Sequence, residues 1–512
     1  MGRYNRKEAR RSIFHTAAYR AVSQIVTVLS YVVMVRGMSE HDFGIFNIFY
    51  AILPVISSVA SLGLEQTLRR FQPEYIASNN LGAAAWLVRF ISRTRLLANI
   101  VVLGAIFILW NRIAPPFHVA PYRIEFAIFC VLTLLYFQSR ILQLSLSSHM
   151  LQQFSVGSTA LLGAGKLVAY LVFMWLGTLT LQNAIIADTV AYGLMYAVLS
   201  LVHRASCRHP KTHDSFALVA SERRRLLRYG IINNFNDAGT MVLGVQSDNF
   251  FIAALMNVTA VGAYSFYTRL TQMGARLSPT RLFDNVIQPL FFATRASEAV
   301  ERIPRYFSLL INISLMLQMP IMAYAAAYHK EIVQVLFAGK FIDKSPLLPL
   351  MVGFATFNVI GSPATMVAQY TEKVSAVLLS KVFAIYNVVT MLLFVPIGGL
   401  FGAALSTGSS EAFKNLFIWW NVRGTARWTN AWQSLVTSAV VWGSCIATCY
   451  ALKRVLHVSA VGQLACGAII CVAAALIYVR SPALSIGDRE ILASIFRGKE
   501  RRVLHLFGVV RS

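Results

Sequence analysis

"GMSEHDFGIFNIFY" runs from Gly37 to Tyr50, and "LMNVTAVGAYSFYT" runs from Leu255 to Thr268. Laid over one another they pair Met38 with Met256, Gly44 with Gly262, Phe46 with Tyr264, Asn47 with Ser265 and Phe49 with Tyr267, at a constant offset of 218 residues. A chain of 512 residues that states one phrase near its start and again at its middle is built from two related halves.

What the halves are made of follows from composition. Hydrophobic residues make up 57% of the chain and charged ones 13%, with mean hydropathy +0.60. Soluble domains carry about 25% charged residues, and apolar runs of this length mark membrane spans. The net charge of +25 does not point to nucleic acid, because the basic residues lie in short segments between apolar runs. Cys130, Cys445, Cys449, Cys466 and Cys471 lie inside apolar runs and form no CxxC pair, so they imply no disulfide framework. Arg3, Arg6, Lys7, Arg10 and Arg11 lead into an apolar run too long for a signal sequence. It reads as a first span.

At about 20 apolar residues per spanning helix, the sequence predicts an all-α, polytopic protein of about fourteen transmembrane helices. They fall near 13–35, 43–67, 82–110, 121–149, 154–177, 181–203, 226–254, 260–292, 302–328, 346–371, 375–396, 399–421, 429–451 and 458–479. Lys and Arg total 27 on one side of this arrangement and about 8 on the other. The positive-inside rule then puts both termini and the linker His203–Arg228 in the cytoplasm, with Lys340 outside. Trp419, Trp420, Trp428 and Trp432 beside one cytoplasmic turn, and Trp110 and Trp175 at outer ends, fit aromatic belts. The expected organisation is a six-helix lobe over 1–203, a linker over 204–225, a second six-helix lobe over 226–421, an extra helix pair over 422–480 and a basic tail over 481–512. The repeated phrase is then the turn between spans 1 and 2 and its counterpart between spans 7 and 8. Six helices per lobe keep both copies in one orientation, and paired lobes with a midplane site are a transporter architecture. The small Gly44 and Gly262 at the span entrances allow close helix approach. A fainter echo joins "LGTLTLQNAIIADT" (176–189) to "IGGLFGAALSTGSS" (397–410).

On three features the chain resembles the polysaccharide transporter (Wzx-type oligosaccharide flippase) family of the multidrug/oligosaccharidyl-lipid/polysaccharide exporter superfamily. They are the basic start leading to "GMSEHDFGIFNI", the run "DNFFIAALMNVTAVGAY" (248–264), and spans grouped six, six and two. The resemblance implies a flippase that carries undecaprenyl-pyrophosphate-linked oligosaccharide across a bacterial inner membrane by alternating access. It also implies that spans 1, 2, 7 and 8 line a cationic cavity, with Arg20, Arg269 and Arg276 holding the anionic lipid.

The residues independently draw attention to these positions, because a charge inside a bilayer is costly and needs a reason. Thr16, Arg20, Gln24, Thr27 and Tyr31 share one helix face. Arg269, Gln272 and Arg276 share another, and Arg20, Gln24, Arg269, Gln272 and Arg276 are the candidate substrate-binding set. Guanidinium matches phosphate oxygens with a fork of donors and stays charged when desolvated. Asn233, Asp237, Thr240, Gly244 and Ser247 make a third polar face, with Asp248 beside it. Asp237, Asp248, Lys166, Glu411 and Lys414 are candidates for charge coupling, and Arg140, Asp188 and Lys381 are further intramembrane charges. Structural alternatives stay open for all of them. The arginines could pair with aspartates between helices, Arg276 could anchor at the interface, and Asp248 could fix the corner between spans 7 and 8. Lys166 and Arg140 read more naturally as structural, and Glu411 with Lys414, three apart, could be a local ion pair.

No catalytic motif appears: there is no HExxH, Walker loop or GxSxG. His203, Cys207, His209, His213 and Asp214 match no closed zinc pattern. The tail, with Arg497, Lys499, Arg501 and Arg502, could lie on anionic headgroups or fix topology. The expectation is therefore a non-enzyme without a cofactor, with H+ or Na+ as the coupling ion if there is one. Its partners would be the lipid-linked oligosaccharide, the membrane and polysaccharide assembly proteins, and no nucleic acid. The rivals are an ion-coupled drug or metabolite antiporter of the same superfamily, and a membrane polymerase or glycosyltransferase. The antiporter branch usually stops at twelve spans and favours carboxylates. The enzymes place acids or bases on outer loops larger than Tyr328–Ser345, the longest here.

Overall fold

Apolar runs with hydrophobic residues on every face can bury their backbone polar groups in a bilayer only as helices, and helices are what form. The computed structural model describes residues 6–149, 151–207, 219, 221–242, 245–277, 296–371, 373–455, 458–484 and 489, and within them the side chains of 6–21, 232–233, 235–242, 245–246, 275–277, 296–302 and 374 lie outside the described set. In order the main helices are α1 (Arg6–Gly37), α2 (Glu40–Ser61), α3 (Leu64–Ala77), α4 (Leu81–Ile108), α5 (Arg123–Ser148), α6 (Gln152–Trp175), α7 (Leu181–Ser206) and α8 (Arg223–Val242). Then follow α9 (Val245–Leu255), α10 (Val258–Leu277), α11 (Ala296–Phe337), α12 (Leu347–Phe357), α13 (Gly361–Tyr370), α14 (Phe383–Val422), α15 (Ala431–Val455) and α16 (Ala460–Arg480). The described residues hold no strand.

Each predicted span is largely helix over its described residues, with a break at 62–63 in the second, while 243–244 and 278–292 lie outside the described residues. Ten stretches among the described residues are long and apolar enough to cross a membrane. The protein is a polytopic, all-helical membrane protein. α14, at 40 residues, is two spans in one. It would measure about 60 Å if straight, twice a bilayer core. Gly399 breaks it with φ 54°, ψ −133°, a conformation suited to glycine. Three residues on, a Cβ on Gly402 would lie 2.0 Å from the Phe394 carbonyl oxygen, so the chain folds back tightly there.

The chain divides into two compact units, Met1–Gly262 and Ala263–Ser512. In the first, α2 is interrupted at Leu62 (φ 48°) and Gly63 (φ 70°) and resumes as α3. α8 packs across this break, where a Cβ on Gly63 would stand 1.8 Å from the Gly230 carbonyl oxygen. The Asn234 amide donates to the Ser58 carbonyl at 3.1 Å. At the far end of α3, Arg225 of α8 donates to both oxygens of Glu74 at 3.1 and 3.2 Å, and Tyr75 donates to Glu222 at 2.8 Å. Burial, and then that bond to Glu222, pushes the Tyr75 phenol well above its ordinary range. In the second unit, Ile303, Phe307, Leu310 and Ile311 of α11 pack on Ala364 and Val367 of α13 and Ile418 of α14. Further along α11, Ala323, Ala327 and Tyr328 pack on Trp442, Cys445 and Cys449 of α15 and Cys471 of α16.

The repeated phrase has a structural counterpart. The Asp42 amide donates to the Ser39 hydroxyl at 3.0 Å, capping α2. At the equivalent positions the Ala260 amide donates to Asn257 Oδ1 at 2.8 Å, capping α10. The two copies also meet. A Cβ on Gly44 would lie 2.1 Å from the Val258 carbonyl oxygen, and one on Gly262 would lie 3.0 Å from the Glu40 carbonyl oxygen and 3.2 Å from the Gly44 nitrogen. These neighbours are backbone, which cannot swing aside. Overpacking costs about 1–3 kcal/mol where side chains can yield, and more is expected here. Gly44→Leu should therefore remove most folded protein. Gly44→Ala should lower the melting temperature in detergent more than Gly262→Ala does, and equal, unchanged melting for both would show the contact to be slack.

Candidate functional site

The first unit buries two charged clusters inside its spans. In one, Asp188 of α7 is fully buried. Lys166 of α6 reaches it at 2.7 Å, Tyr170 donates to its other oxygen at 2.5 Å, and Tyr50 of α2 also donates to it. The Lys166 ammonium lies 4.9 Å from the centre of the Tyr192 ring. One carboxylate thus gathers three donors from two helices, which meets the demand that buried charge be paired and hydrogen-bonded.

The other cluster joins Glu65 at the start of α3 to Arg140 of α5 at 2.6 Å and to Arg95 of α4 at 3.7 Å. Arg95 is fully buried, with its guanidinium 4.4 Å from the Phe137 ring centre and 3.4 Å from the Ser57 carbonyl oxygen. The same unit holds an uncharged hollow of about 180 Å³ between α1, α5 and α6, lined by Ser23, Gln24, Gln143, Ser155, Val156 and Thr159.

In the second unit Asn358 ends α12, and Asn358–Ile360 forms a 3-10 turn before α13. The Asn358 amide donates to Glu411 at 2.9 Å, Asn415 donates back to Asn358 at 2.9 Å, and Lys414 lies 3.4 Å from Glu411. Glu411 and Lys414 therefore meet as an i, i+3 pair at a break in the opposing helix. Arg269 and Gln272, on α10, are half-buried.

The sequence-predicted residues are distributed as follows. Gln24 is exposed on α1 and lines the hollow, while Asp248 on α9 is fully buried. Arg20, Asp237 and Arg276 stand on α1, α8 and α10 with side chains outside the described residues, as are His209, His213 and Asp214. Of the remaining members of that last group, His203 meets the Ser145 hydroxyl at 3.0 Å. Lys166 is joined to Asp188, and Glu411 to Lys414. Arg20 and Gln24 belong to the first unit, and Arg269, Gln272 and Arg276 to the second.

Comparison with known proteins fits this architecture. Residues 33–346 match the model of a family described as polysaccharide biosynthesis protein. The chain belongs to that family. This agrees with the polysaccharide-transporter resemblance carried by the repeated phrase. Among relatives of this family member, an uncharacterized membrane protein of Methanocaldococcus jannaschii is 23% identical over 452 residues, 79% of this chain and 82% of the relative. Among solved structures, the lipid II flippase MurJ in an inward closed conformation superimposes with a TM-score of 0.68 at 11% identity, covering 93% of this chain and 99% of that one. An inward-facing multidrug resistance transporter of the MATE family, in the MOP superfamily, gives 0.65 at 13% identity, covering 79% and 95%. These likenesses show a shared fold.

Sequence reasoning missed Glu65, Arg95, Tyr50, Tyr170, Asn358 and Asn415. Arg95 carried a usable signal: it lies within the apolar run 82–110 and therefore required a carboxylate partner. Glu65 was the one acid inside the predicted second span, 43–67.

Proposed function

We propose that this family member is a flippase that moves undecaprenyl-pyrophosphate-linked oligosaccharide from the inner to the outer leaflet of a bacterial inner membrane, for surface or exopolysaccharide assembly. It is a carrier and not an enzyme. The observation that carries the reading is a family match to polysaccharide biosynthesis in a polytopic helical chain that keeps arginine inside its spans, Arg269 being half-buried midway along α10. A lipid diphosphate crossing a low-dielectric layer needs compensating cations, and guanidinium supplies them with the right donor geometry.

In this reading two six-helix lobes rock about a central cavity, with both termini cytoplasmic as the loop charges require. Arg20, Arg269 and Arg276 hold the diphosphate. The Lys166–Asp188 cluster and the Glu411–Lys414 pair are the places where a coupling proton or sodium ion would change the balance of charge. Asp237 and Asp248 serve the same balance from α8 and α9.

The test is leaflet-resolved. Cells depleted of this chain are expected to accumulate the lipid-linked oligosaccharide on the cytoplasmic leaflet, where periplasmic lectin and glycosidase cannot reach it. Undiminished periplasmic exposure would overturn the flippase reading. Drug sensitivity appearing instead would favour the antiporter.

A further inference from the structure

We infer that the hollow between α1, α5 and α6 is a sugar subsite, holding a monosaccharide unit of the lipid-borne glycan; this rests on the flippase reading above. Gln24 lies 13 residues before the end of α1, whereas Ser155 stands three residues into α6 and Gln143 five residues before the end of α5, so the hollow reaches to within about 8 Å of the turn that joins α5 to α6. Five of the six lining residues carry hydroxyl or amide groups, and none is charged.

Part of this polarity is spent on the fold. The Ser23 hydroxyl meets that of Thr159 at 3.2 Å, and the Gln143 amide donates to the Ser158 hydroxyl at 3.0 Å. The rest is uncommitted: the Gln24 amide and the Ser155 hydroxyl make no hydrogen bond to any described residue. Gln143 Oε1 likewise keeps its acceptor capacity. The free groups thus include both donors and acceptors. That mixture suits a neutral polyol, whose hydroxyls need both. It does not suit a phosphate, which needs cations. A space of about 180 Å³ equals about six water molecules at 30 Å³ each, the bulk of one pyranose ring. Arg20 stands one helical turn before Gln24 on α1, the order in which a diphosphate and its first sugar would follow one another.

The experiment uses the full chain in nanodiscs and two probes: bare undecaprenyl pyrophosphate, and the same lipid carrying one N-acetylhexosamine. The sugar-bearing lipid is expected to bind about tenfold tighter, the increment of one or two net hydrogen bonds. Ser155→Val should erase that increment and leave affinity for the bare lipid unchanged, with unaltered melting temperature as the folding control. If the unaltered chain binds both lipids equally, the subsite is overturned while the flippase reading stands. If neither lipid binds, the flippase reading itself falls. Free N-acetylhexosamine matching the sugar-bearing lipid in affinity would overturn the lipid-borne source.

Discussion

Glu65→Ala is expected to leave little folded protein in the membrane. Glu65 is the carboxylate for two guanidinium groups, Arg140 at 2.6 Å and Arg95 at 3.7 Å. Their situations differ. The Arg140 side chain keeps 41% of its surface accessible, whereas Arg95 keeps none. Losing one partner of a buried pair costs about 3–5 kcal/mol, because the charge left behind has no compensation. Whole domains are stable by only about 5–15 kcal/mol. The variant should therefore lose most of its yield and melt well below the unaltered chain. Adding Arg95→Met should restore most of the loss, since Met fills the space against Phe137 without a charge and Arg140 can still reach polar surroundings. Normal yield from the single variant, or no rescue in the double, would show that Glu65 does not hold this cluster together.

This pair also shows where sequence reading stops. Span positions were legible because a bilayer imposes one length and one composition on every crossing. Even the reversal inside α14 was legible, since Pro396 and Gly399 punctuate an apolar run too long for one crossing. The relation between the halves was legible too, and it reaches further than identity. Ser39 and Asn257 share a position in the repeat but not a residue type, and both cap the helix that follows. Glu65 with Arg95 was not legible, because the pairing depends on how α3 and α4 pack, and three arginines in α4, at 89, 93 and 95, compete for the inward face. Only Arg95 is buried. The break at Leu62–Gly63 was hidden as well: the sequence there reads as one apolar run, and the interruption follows from α8 crossing at Gly230. Lys166 and Asp188 were each visible as intramembrane charges, but their union, with Tyr50 joining it, depends on how α6 and α2 pack against α7, which no local pattern encodes.

Arg269→Ala is expected to abolish polysaccharide export at normal protein level. Arg269 sits midway along α10, half-buried, with Gln272 one turn on and Arg276 a turn beyond that. Nothing in helix formation asks for guanidinium there, and its presence within a span is costly unless something anionic repays it. If that anion is a diphosphate, hydrogen bonds to a charged group contribute about 1.5–3 kcal/mol each, so losing a bidentate pair should slow export at least a hundredfold. Arg269→Lys should recover part of it, because lysine keeps the charge but lacks the planar fork. A structural role predicts a different pattern. Were Arg269 needed only to balance an acid such as Asp237, removing both charges would relieve the penalty left by removing one. Export from Arg269→Ala, Arg269→Lys and the double variant Arg269→Ala with Asp237→Ala, each normalised to protein level, separates the two. Full export from the double variant would assign Arg269 to the scaffold. Its continued loss, with partial recovery in Arg269→Lys alone, is the result that a grip on the substrate requires.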